Sequence, residues 1–242
     1  MQEQNLQYKD RNLLFEIKRN QTGYGFLVEN EGFISPKCDV IKQIKEDISH
    51  NDSFVVPHPF ILPTVFQKYG IRNANGRIYP ERVLRKQANE YLLKVQEKRA
   101  MGELNHPNSI SIDLSRVALN VVSFDWEGHT LIGEVEIITS PGFRRHGIIS
   151  CQGDQLANLL IEGYKVGVSS RGVGSVEKIG SDMVVGEDYE IICFDSVESP
   201  STPNAWISKT SQEARQYVEN VNNKPLSSLL GEKLNRLESL VL

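Results

Sequence analysis

Gly167-Val168-Ser169-Ser170-Arg171-Gly172 is the stretch from which the rest of the chain reads. Residues 165–168 predict a short strand that delivers two adjacent hydroxyls. Gly172 and Gly174 predict a backbone that turns close behind them. A serine hydroxyl is a poor nucleophile unless a base takes its proton and a fixed geometry presents it. By itself the stretch reads better as a Ser/Gly-rich hairpin. Two other stretches change that reading: Gly102-Glu103-Leu104-Asn105-His106-Pro107, and the surroundings of Asp195.

The 242 residues suffice for one sizeable core with extensions. The net charge of −4, from 27 basic and 31 acidic residues, argues against a general nucleic-acid binder. Cys38, Cys151 and Cys193 are widely spaced, with no Cys-x-x-Cys, so a zinc knuckle or redox pair is unsupported and reduced thiols are expected. Met1-Gln2-Glu3-Gln4-Asn5 is polar and is not a signal peptide. No apolar run approaches the roughly 18 residues of a membrane span.

Residues 13–17 and 25–28 have β character, with a turn at Asn20-Gln21-Thr22-Gly23. Residues 40–47 fit a helix or a strand. Residues 54–56 predict a strand, after which Pro57, Pro59 and Pro63 predict irregular chain. Asn73-Ala74-Asn75-Gly76-Arg77 predicts a turn, and Pro80 the first position of a helix. Val83, Leu84, Ala88, Tyr91, Leu92 and Val95 form one apolar stripe on that helix, which should run to about Arg99 and end by Gly102. Alternation at 117–121 and 131–137 predicts a hairpin turning at residues 125–128, broken by Pro141-Gly142. Residues 154–162 predict a helix capped by Gly163. Strands are expected at 173–176, 183–185 and 189–194, the last ending at Asp195. Helices are expected at 211–220 and 226–242, with a linker at Asn222-Asn223-Lys224-Pro225.

Nucleophilic serine chemistry needs a base, and a group that orients the base and steadies its charge. Five histidines are available: His50, His58, His106, His129 and His146. Proline disfavours helix in the residue before it, so His106 is expected in an extended loop just past the long helix. His129 is expected solvated at the 125–128 turn and His146 in an exposed loop after Arg144-Arg145, while His50 and His58 flank a possible strand with no acidic partner at a telling spacing. Glu103 reads as a helix-end carboxylate or as a brace that bonds a backbone N–H in the loop. Glu103-x-x-His106 lacks the first histidine of a zincin motif, so a metal-dependent hydrolase using Glu103, His106 and a cysteine is poorly supported. The α/β-hydrolase elbow fails too, because Arg171 stands where its second glycine belongs and the best histidine precedes the serine.

Three blocks now coincide. They are Asn73 through Tyr91 with its Asn-Gly-Arg-Ile-Tyr-Pro entry, Gly-Glu-Leu-Asn-His-Pro at 102–107, and Gly-Val-Ser-Ser-Arg-Gly at 167–172 followed by Asp195-Ser196-Val197 and Pro200-Ser201-x-Pro203-x-Ala205-Trp206. Together they resemble the prohead core protein proteases of tailed bacteriophages, over roughly residues 53–207. The resemblance implies an α+β fold, mainly an antiparallel β-barrel surrounded by helices, like the herpesvirus capsid maturation proteases. It implies His106 as base, Ser169 rather than Ser170 as nucleophile, and Asp195 as the acidic third member. Backbone around Ser170, Arg171 and Gly172 would support an oxyanion, with a structural ion pair as the other reading of Arg171. A turn residue at a strand end is the other reading of Asp195.

The resemblance further implies a self-processing zymogen that cleaves scaffold, core and capsid proteins inside the prohead, in the bacterial host cytoplasm. It would need no metal, cofactor or nucleic acid, would bind no membrane, and would have further copies of itself as partners. The expected organisation is an N-terminal extension at 1–52, partly β, a protease domain at 53–207, and a helical, removable tail at 208–242. A non-enzymatic head-core component that keeps this fold is the alternative.

Overall fold

The computed structural model describes residues 14–34, 39–51, 54–107 and 109–198. The helices expected at 211–220 and 226–242 lie outside them. In chain order the elements are β1 (Gly23–Ile34), α1 (Asp39–Asn51), β2 (Phe60–Lys68), β3 (Arg77–Ile78), α2 (Glu81–Gln96), β4 (Met101–Glu103), β5 (Val117–Glu127), β6 (Thr130–Ile137), α3 (Pro141–His146), α4 (Gln152–Glu162), β7 (Val166–Ile179), β8 (Asp182–Val185) and β9 (Glu190–Val197). Among the described residues no helix is long and apolar enough to cross a membrane.

The fold is α+β. The strands form one sheet in the order β3-β8-β7-β1-β2-β6-β5-β4, with β9 paired to β7, and every pairing but β3–β8 is antiparallel. The sheet curls until β4, at the far end of this order, reaches β9. That seam is one parallel bridge, Leu104 to Ser196, and one hydrogen bond from Asn105 N–H to the Ser196 carbonyl at 2.8 Å. The sheet is therefore not closed into the expected barrel: its ends meet at a point and not by a ladder. At three residues β4 is too short for more, and Glu103 N–H goes to the Asp195 carboxylate (2.9 Å) instead of a backbone carbonyl.

The apolar stripe of α2 is buried at Val83, Leu84, Ala88 and Tyr91, against β5 and β9. Phe66, Phe124, Phe194 and Tyr91 meet with ring centroids 4.7–5.6 Å apart. A fully buried ring of this kind contributes roughly 1.5–3 kcal/mol relative to exposure. The segment expected as an extension supplies β1, which lies between β7 and β2, and α1, which packs on α4.

Several local expectations change. Residues 54–56 are not a strand; the strand follows at β2, with Pro63 inside it opposite Glu134. β1 pairs with β2 only at Thr64 and Val65, so the proline falls outside that short ladder. Pro141-Gly142 does not merely break the hairpin: Ser140 caps α3 through Phe143 N–H, with proline in the first turn. The hairpin turns later than expected, at Gly128 (φ 54°).

The glycines of the two decisive stretches serve close approach and not turning. β7 runs straight through Gly172 and Gly174, where a Cβ would lie 2.4 Å from Tyr189 Cε2 and 2.8 Å from Tyr189 Cα. Helix α2 ends at Gln96, and Gly102 lies in β4, where a Cβ would lie 1.8 Å from the Phe194 carbonyl oxygen. Gly102→Ala should therefore push β4 off β9. The expected cost is about 2–3 kcal/mol, or a melting point lower by roughly 5–10 °C. A calorimetric melt matching wild type would refute the close approach.

Candidate active site

Two adjacent strands and one loop carry the site. Ser169 on β7 and Asp195 on β9 are direct cross-strand partners. Such partners point to the same face with Cβ atoms about 4.5–5.5 Å apart. Asp195 stands inside β9 and not at its end. His106 follows β4, and its Nδ1 lies 3.0 Å from Asp195 Oδ2. Asp195 is fully buried and the His106 side chain is 18% exposed. An ionised carboxylate only accepts, so Nδ1 carries the hydrogen and Nε2 is left as the basic nitrogen.

Adjacent serines on a strand point to opposite faces. Ser169 shares its face with Arg171, Cys193 and Asp195. Ser170 is paired with Glu29 and Phe194 on the other face, beside Tyr189. Only Ser169 therefore faces the His106–Asp195 pair. Its hydroxyl oxygen is buried and has no hydrogen-bond partner among the described residues.

Arg171 holds the site's charges together. Its Nε lies 3.0 Å from Asp195 Oδ2, and its Nη2 lies 3.2 Å from Asp195 Oδ1 and 3.1 Å from Glu103 Oε1. Nη1 donates to the Ser109 carbonyl at 2.6 Å. Burial works against this guanidinium's charge, but anionic neighbours including Asp195 and Glu103 hold its pKa above the ordinary range. Of the two readings of Arg171, the ion pair is what its side chain makes.

Glu103 is fully buried. It accepts Asp113 N–H at 2.9 Å as a loop brace, and also Arg116 Nε at 3.1 Å. A carboxylate engaged by two guanidiniums offers little to a metal ion. Burial pushes the Cys193 thiol well above its usual range, with Asp195 adding to it, so it stays neutral against Arg171 Nε (3.2 Å) and Asp195 Oδ1 (3.4 Å).

Ser170, Arg171 and Gly172 lie mid-strand, paired to β1 on one side and β9 on the other, with a register shift against β9 between Arg171 and Gly172. The remaining histidines stand apart from this cluster. His50 bonds Ser49 and the Glu46 carbonyl at the end of α1, His58 lies near Arg144, His129 packs on Tyr69, and His146 ends α3. A groove of about 270 Å³ opens beside the site, lined by Leu14, Phe15, Phe26, Val28, Pro107 and Arg171 among others.

Sequence reasoning missed Arg116, whose only signal is its place after Asp113, the residue that caps the turn Leu114–Arg116. It also missed the buried Glu29. That carboxylate accepts from Tyr79, Asn73 and Asn75 at 2.6–2.9 Å and pairs with Arg77. Four polar residues of the stretch 73–79, Asn73, Asn75, Arg77 and Tyr79, converge on this one acid, which lies more than forty positions earlier in the chain.

Asn105 adopts a left-handed φ of 65° while its N–H ties the loop to β9, and this aims His106 at Asp195. Asparagine and glycine tolerate that region; β-branched residues do not. Asn105→Gly should keep the site, whereas Asn105→Val should cost roughly 1–2 kcal/mol. Equal melting points for the two variants would contradict this.

Residues 31–216 match the family described as prohead core protein serine protease. The chain is 33% identical over 158 residues to the prohead core protein protease of Enterobacteria phage T4, covering 64% of this chain and 71% of that one. Its fold resembles the solved bacteriophage T4 capsid assembly protease, gp21, with a TM-score of 0.56 at 24% identity, over 72% of this chain and 98% of that one. The chain belongs to the prohead core protein serine protease family.

Proposed function

We propose that this protein is a serine endopeptidase of prohead maturation, with Ser169 as nucleophile, His106 as base and Asp195 as the carboxylate that orients and steadies the imidazole. The observation that carries this reading is the 3.0 Å contact between His106 Nδ1 and Asp195 Oδ2, with Asp195 directly across the sheet from Ser169. His106 Nε2 takes the hydroxyl proton as Ser169 Oγ attacks the scissile carbonyl carbon. It then gives that proton to the leaving amine as the C–N bond breaks. Water attacks the acyl-enzyme by the same route, and the proton returns to Ser169. The backbone of Ser170, Arg171 and Gly172 supports the oxyanion; the break in ladder register between Arg171 and Gly172 is the feature in favour.

The substrates are scaffold, core and capsid proteins of the prohead, met in its interior within the host cytoplasm. The names of the T4 relatives support this assignment. Other copies of the chain are partners as well. The curled sheet with its point seam is an open form of the herpesvirus maturation protease barrel. Ser169 is fully buried, so a peptide reaches it only after covering chain moves. That supports synthesis as a zymogen, with the tail beyond residue 207 as the segment trimmed.

Incubation with the cognate scaffold protein tests the assignment. Wild type should cleave it, and Ser169→Ala and His106→Ala should each lower kcat/KM by about 10³-fold or more. Ser170→Ala should retain most activity, because its hydroxyl faces away. Loss of activity in Ser170→Ala with Ser169→Ala unimpaired would reverse the assignment of the nucleophile. Full activity in His106→Ala would remove the base.

A further inference from the structure

The cluster that holds Asp195 contains one more positive group than a serine–histidine–carboxylate arrangement needs. Arg171 contacts both Asp195 oxygens, one of which also faces His106 Nδ1. A guanidinium placed there competes with a protonated imidazole for the same carboxylate. Glu103 draws on that guanidinium through the same Nη2 that meets Asp195 Oδ1, and Arg116 in turn draws on Glu103. From Arg116 to His106 the charges alternate: positive, negative, positive, negative, positive when the ring is protonated.

We infer that Arg171 and Glu103 are positioning residues whose buried ion pair sets how firmly Asp195 holds the protonated ring of His106. When Glu103 takes more of the guanidinium, Asp195 keeps more of its charge for the imidazolium. When Glu103 takes less, Arg171 neutralises Asp195 and the imidazolium is held less firmly. The inference rests on His106 being the base of the proposed reaction.

Among the described residues, Cys193, Tyr91, Lys94 and Asp113 also lie near the pair. Cys193 on β9 is a neutral thiol, its proton held by burial and by Asp195. Tyr91 on α2 is kept neutral, chiefly by burial. Lys94 on α2 donates to the carbonyls of Ile191 and Ile192. The carboxylate of Asp113 is taken by Ser115, and only its backbone N–H meets Glu103.

The test is an NMR titration of the His106 ring in the full chain carrying Ser169→Ala, which keeps the chain whole. Adding Glu103→Gln should lower the titration midpoint by about half a unit or more, about threefold in proton affinity. Adding Arg116→Gln should raise it by a similar amount, because Glu103 then leans wholly on Arg171. Repeated with Asp195→Asn, both shifts should fall below about a third of their size.

Midpoints that do not move, that move the same way in both variants, or that move undiminished with Asp195→Asn would each overturn the inference. Arg116 is 39% exposed, so its variant carries the test even where Glu103→Gln fails to fold. The readout needs no substrate. If the titrations come out as expected while the chain with Ser169 intact cleaves no scaffold protein, the peptidase reading falls and only the coupling of the ion pair to the His106 ring stands.

Discussion

The guanidinium of Arg171, buried between the carboxylates of Asp195 and Glu103, is the interaction on which the site depends. Removing three such charges from water is costly, and buried ion pairs often add little net stability over apolar packing. Their contribution here is to placement. Arg171 belongs to β7, Asp195 to β9 and Glu103 to β4, so one side chain ties β4, which barely pairs with β9 at the seam, to the β7–β9 ladder. The missing ladder is made up by side chains: Asp195 accepts Glu103 N–H, and the Ser196 hydroxyl donates to the Glu103 carbonyl. Losing any one partner would strand a buried charge as well as open the sheet.

This explains why the site sits where it does. At the seam the chain leaves β4, turns through Asn105 and presents His106 within one residue. The loop is short, anchored to Ser196 and braced through Glu103, so the imidazole is mounted on rigid elements on both sides. Close approach of β4 to β9 is in turn possible because position 102 carries no side chain.

Much of this was legible in the sequence, through different physics in each part. The α2 stripe and the Gly163 cap were readable because helical periodicity and left-handed caps are local properties. The His106, Ser169 and Asp195 assignments came from a resemblance in three blocks, and the structure places His106 and Asp195 in contact. What failed was the reading of residues whose reason lies across the fold. Gly172 and Gly174 look like turn formers, yet they make room for Tyr189. Pro63 looks like a strand breaker, yet the short β1–β2 ladder leaves it a place. Arg116 and Glu29 carry no local signal strong enough to reveal a distant ionic partner.

The serine pair on β7 has one more consequence. The two letters are identical, so a displacement of β7 by a single position against β9 would bring a hydroxyl opposite Asp195 again. It would also swing Arg171 out of the ionic cluster and into the aromatic surroundings of Tyr189 and Phe194. The duplication is thus no spare part. The guanidinium two positions on acts as a key that admits only one alignment, and the chain cannot exchange its hydroxyls without forfeiting the charge that holds the site together.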